Sequence, residues 1–83
     1  MENKKIAAIV MHLKSKPPVN FNVSLHMLAA HHGVHVLSLN YHPTKPELHM
    51  KVNAPSYEHL KAVTEGLKRQ FGHIVHEAHI ETA

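Results

Sequence analysis

The apolar residues of this chain change their spacing from segment to segment, and proline- and glycine-bearing breaks separate the segments, so the pattern reads strand, helix, strand, strand, helix, strand. Lys4 to Leu13 is almost continuously Ile, Val, Ala and Met. A short, β-branched apolar run of this kind is the signature of a strand covered on both faces, and predicts a central position in its sheet. Lys14 to Asn20 holds Pro17 and Pro18, which stop the ladder, and Asn20 or Asn22 can cap a helix running to His32. At 100° per residue, Phe21, Leu25, Leu28, Ala29 and His32 fall on one side of that helix, the expected core face. Val23, Met27 and Ala30 fall nearly opposite. Gly33 stands where a helix stop wants a left-handed residue, and Val34 to Tyr41 resumes strand character.

The segment His42-Pro43-Thr44-Lys45-Pro46 reads as a turn. After it Leu48, Met50 and Val52 alternate with His49, Lys51 and Asn53, so this strand has one wet face and forms a hairpin with the strand before it. Ser56 is placed to cap a second helix, with Glu58 in its first turn and Leu60, Val63, Leu67 and Phe71 as its apolar stripe, and Gly72 closes it. Residues His73 to Glu81, with Ile74, Val75, Ala78 and Ile80, supply a last strand. As an antiparallel four-stranded sheet with both helices on one face, this order is an α+β, ferredoxin-like βαββαβ sandwich, a single domain over residues 1–83.

Size and inventory then exclude several kinds of function. A core built from 83 residues contributes only a few kcal/mol net. With no cysteine to cross-link it, such a domain commonly gains its margin by pairing, and a homodimer is expected through the outer strand Val34 to Tyr41. Lack of cysteine also removes thiol nucleophiles, thiolate metal sites and Fe–S clusters, and fits a reducing cytoplasm. Lack of aspartate removes Ser-His-Asp chemistry. There is no apolar run of about 18 residues and no cleavable leader in Met1 to Leu13, so a soluble, cytoplasmic protein with no membrane partner is expected. The net charge of +3 is spread along the chain, and Phe21, Tyr41, Tyr57 and Phe71 do not form the strand platform on which RNA bases stack, so no nucleic acid is expected either.

Eleven histidines invite a metal reading. Along a strand of period two, however, His76 faces away from His73 and His79, which lie about 20 Å apart. His31 and His32 are separated by about 100° on their helix, with His35 beyond Gly33. No intramolecular metal site is expected from these spacings. His42 and His49, flanking the hairpin turn, are the pair placed to meet across strands or across an oligomer interface. Catalysis by a histidine needs an orienting carboxylate, and the nearest candidates, Glu47 and Glu77, sit on strand positions expected to be exposed, so no catalytic residue, no cofactor and no enzyme activity are expected.

Within that order of elements, Ala29-Ala30-His31-His32-Gly33-Val34-His35-Val36-Leu37-Ser38-Leu39-Asn40 resembles the helix-to-strand junction of ACT domains, above all those of acetolactate (acetohydroxyacid) synthase small regulatory subunits. His42-Pro43-Thr44 is similar to the Ala-Pro-Thr or Gly-Pro-Thr of that family, and Val52 to Phe71 to its last helix. The resemblance implies a non-catalytic regulatory subunit that homodimerises and binds the thiamine-diphosphate-dependent catalytic subunit in branched-chain amino-acid biosynthesis. It also implies an effector pocket at Asn20, Phe21 and His35, which would take a branched-chain amino acid between protomers. Asn20 stands where the family has a glycine, and tolerates a left-handed backbone better than other non-glycine residues. Its side chain crowds the place where the effector meets the backbone. The alternative implied by the histidines is a stand-alone ACT-like sensor with a small ligand or transition metal held between protomers.

Overall fold

The computed structural model describes residues 5–82; Lys4, included in the expected first strand, lies outside them. The elements are β1 (Lys5–Leu13), α1 (Phe21–His31), β2 (His35–Tyr41), β3 (Glu47–Ala54), α2 (Tyr57–Gln70) and β4 (Val75–Thr82). The strands form one antiparallel sheet in the order β2-β3-β1-β4. With both helices packed on one face, the fold is α+β and ferredoxin-like, and β1 is central as its apolar run predicts.

Strand parity decides what each face holds. Ala7, Ile9 and Met11 of β1 join Leu48, Met50, Val52 and Ala54 of β3 in a core closed by Phe21, Leu25 and Leu28 of α1 and Leu60, Val63 and Leu67 of α2. The ring of Phe21 meets that of Phe71 edge-on, with centroids 5.3 Å apart. The helices approach closely at Gly66, where an added Cβ would lie 3.1 Å from Leu28 Cδ1. On the far side of α1, Val23 and Met27 are 59% and 67% exposed, so the second apolar stripe has no cover among the described residues.

The stop of α1 follows a Schellman pattern. The Val34 N–H donates to Ala29 O at 2.8 Å and the Gly33 N–H to Ala30 O at 3.0 Å. Gly33 has φ +72, and no other described residue has a positive φ. Val34, expected to begin β2, is instead the buried residue that seals this stop, and β2 starts at His35. Likewise β4 begins at Val75 rather than His73. The Ile74 and Val75 N–H groups are both bonded to Phe71 O, which holds the chain in a turn until then.

The helix starts depart from expectation in their side chains. Asn20 and Ser56 occupy the N-cap positions, but neither side chain caps. The Ser56 hydroxyl lies 2.7 Å from His59 Nδ1 instead. Asn20 has φ −91 and ψ 16, so this turn makes no use of asparagine's left-handed tolerance. No described helix is long and apolar enough to cross a membrane.

Candidate functional site

The sheet face away from the helices is uncovered, and most of the strand carboxylates and imidazoles gather there. Cross-strand register places them in rows: Asn40, His49, Val10 and His79 are successive partners across β2, β3, β1 and β4, and Glu47, His12 and Glu77 form the next row. Ser38, Lys51, Ala8 and Glu81 form the row on the other side. Val10 points to this open face yet is only 2% exposed. Its neighbours on adjacent strands are His49 and His79, and His12 follows it by two residues, so imidazoles roof an apolar side chain that would otherwise face water.

Glu47 is the hub of the cluster. Its carboxylate accepts a hydrogen bond from His49 Nε2 at 3.2 Å through Oε1, and its Oε2 lies 3.5 Å from His12 Nδ1. The His49 bond holds the Glu47 carboxyl below its ordinary range; partial desolvation opposes this, and the neighbouring His12, Lys45 and His42 assist it. The His12 ring also stacks on that of His79 at 5.4 Å, while His79 Nε2 donates to Glu81 at 3.2 Å. Among the described residues, every base-to-carboxylate contact within 4 Å is between histidine and glutamate.

His42 and His49 are brought together as their flanking positions suggest, with ring centroids 6.5 Å apart. Their roles differ. His42 Nδ1 accepts from the backbone N–H groups of Thr44 at 3.1 Å and Lys45 at 3.0 Å, and is thereby committed to the turn. His49 is turned toward Glu47. Beside them a shallow depression of about 350 Å³ is lined by Ile6, Ala8, Ser38, Asn40, His49, Lys51 and Glu81. Near its end, across from His35, Asn53 Oδ1 is buried without a hydrogen-bond partner.

The residues expected at an effector pocket are dispersed within one chain. Asn20 is exposed at the start of α1, and His35 is exposed beyond its far end, about 16 Å of helix away at 1.5 Å per residue. Phe21 is 1% exposed, its ring is in the core, and its N–H is bonded to Pro18 O at 3.1 Å. An effector site using all of these therefore needs two protomers. No family model, curated protein or solved structure matches this chain. The fold and the side chains of the open face thus carry the functional argument.

His12 did not stand out from its spacing in the chain. The signal that finds it is strand parity. His49 and Lys51 mark the wet face of β3, and antiparallel pairing of β3 with β1 puts His12 on the same face.

Proposed function

We propose that this chain is a non-catalytic regulatory module of the ACT type, which self-pairs through the free edge of β2 and binds the catalytic subunit of an acetolactate synthase. The observation that carries the reading is the edge itself. In the order β2-β3-β1-β4, β2 has one hydrogen-bonding side unpaired, and it bears Leu37 and Tyr41, 46% and 48% exposed. Joining two such edges buries that backbone and supplies the second protomer that a pocket made of Asn20 and His35 requires. A non-catalytic partner shifts an enzyme's activity only by binding one of its conformers better than another.

The test combines sedimentation with an activity assay. A dimer at micromolar concentration, and a change in acetolactate formation when the chain is titrated into an acetolactate synthase catalytic subunit, are expected. Valine, leucine or isoleucine should bind weakly and shift amides at 17–21 and 34–37, and Asn20→Gly should tighten that binding. A 9.4 kDa monomer in solution would remove the pairing. An unaltered synthase would remove the regulatory partner.

A second reading, an ACT-like sensor of a transition metal, is favoured by one observation, the imidazole–carboxylate cluster around Glu47.

A further inference from the structure

We infer that His12, Glu47 and His49 form a capture site for a borderline transition-metal dication such as Zn²⁺ or Ni²⁺, on the open face of a single protomer. The inference gives the sensor reading a place, and it does not depend on the acetolactate synthase reading.

Ligands about 2.0–2.2 Å from a tetrahedral ion lie about 3.3–3.6 Å from one another. Of the two contacts of Glu47, that to His12 Nδ1 at 3.5 Å has this length and that to His49 Nε2 at 3.2 Å is slightly shorter. Both ring nitrogens approach the same carboxylate. A donor set of two imidazoles and one carboxylate, without thiolate, suits Zn²⁺, Ni²⁺ and Cu²⁺. Mg²⁺ and Ca²⁺ prefer all-oxygen shells.

In the conformation described, no three His or Glu side chains among the described residues are placed to hold an ion together. The reason is visible at Glu47: His12 and His49 approach different oxygens of the same carboxylate. Joining them on one ion needs a turn of His12 about its side-chain torsions, off its stack with His79. His12 and His49 side chains are 36% and 42% exposed, so this rotation meets little packing. Glu47, at 19%, is the fixed member. Because no three ligands are preplaced among the described residues, the site is expected to bind more weakly than a preformed structural zinc site. His42 walls the site on the β2 side but lends no ligand, because its Nδ1 is occupied by the turn.

The test is calorimetric titration of ZnCl₂, NiCl₂ and MgCl₂ into the full chain, read beside imidazole nitrogen shifts by NMR. One Zn²⁺ per chain at micromolar affinity is expected, with shifts at His12 and His49 and no Mg²⁺ heat. His12→Ala and His49→Ala should each weaken binding roughly tenfold or more, while a His73→Ala/His76→Ala double variant should bind like the parent. All of these positions are surface-exposed or half-buried, and circular dichroism of each variant checks that it folds. Retention of affinity within about twofold in both His12→Ala and His49→Ala overturns the site, since ligand loss costs far more than that. Loss of binding in the His73/His76 variant also overturns it, by placing the ion elsewhere.

Discussion

Replacing Gly33 and Gly66 by alanine makes the same chemical change in two places, and the structure gives it different consequences. At Gly33 the backbone has φ +72, and an added Cβ would come no nearer than 3.7 Å to His59 Cδ2, an ordinary contact. The cost is therefore conformational. An L-residue held in the left-handed region costs about 1–2 kcal/mol, and alanine has no side-chain hydrogen bond to recover any of it. Gly66 lies within α2, where alanine is favoured over glycine by about 1 kcal/mol. There the new Cβ would sit 3.1 Å from Leu28 Cδ1, the far end of a side chain that yields by a few tenths of an ångström, which offsets most of the gain.

Gly33→Ala should thus lower stability by about 1–2 kcal/mol, and Gly66→Ala should change it by less than about 0.5 kcal/mol. Urea unfolding followed by circular dichroism measures both, at one fixed protein concentration because self-association adds to apparent stability. In a thermal scan 1 kcal/mol corresponds to about 4–8 °C for a domain of this size. Gly33→Asn should recover part of the loss, since asparagine enters the left-handed region more readily. If Gly33→Ala proves neutral, or if Gly66→Ala costs as much, the conformational account of the helix stop is wrong.

The turn histidine offers a second test. His42→Ala removes the acceptor for two backbone N–H groups and should cost about 1 kcal/mol. His42→Asn, whose carboxamide oxygen can accept similarly, should cost less, and equal losses would refute the acceptor role. Glu47 predicts a pH dependence: its folded carboxyl is more acidic than in the unfolded chain, so its stabilisation is present above the ordinary value of 4.5 and is lost as pH falls through the lower folded value. Urea midpoints across that acid limb should fall less steeply for Glu47→Gln than for the parent, and parallel slopes would remove the His49–Glu47 bond as their cause.

The layers of this fold were legible because parity and period are local properties. β3 declares its wet face by strict alternation, α2 by the stripe Leu60, Val63 and Leu67, and the stop of α1 by Gly33. The histidine cluster was not legible, for two reasons. β1 carries apolar residues on both faces, Val10 beside Ile9, so its parity is masked. And the pairing of His12 with Glu47 depends on a register between segments separated by a helix, two turns and another strand, which no local pattern sets. Histidine spacing along the chain points to His73, His76 and His79, whereas His12 meets Glu47 and His79 across strands, and His49 and His79 each meet a glutamate two residues away on their own strand. The break in register between Val36 and Ser38 adds a further shift that nothing in Val36-Leu37-Ser38 announces.

The strand order also sets the sequence of events during synthesis. β1 pairs with β3 and β4, both of which follow it in the chain, and β2–β3 is the hairpin formed by adjacent strands. Val75, where β4 begins, is 62 residues after Leu13 (75 − 13). At about 5–20 residues per second the ribosome leaves β1 without its second neighbour for about 3–12 s. In that interval Ile6-Ala7-Ala8-Ile9-Val10-Met11 is an uncharged, β-prone hexamer with no proline or glycine, the composition that stacks with copies of itself. Lys5 on one side and Lys14 on the other are the charges that oppose such stacking. Neutralising those two lysines should therefore lower the soluble yield of newly made chain more than it lowers the stability of the finished fold.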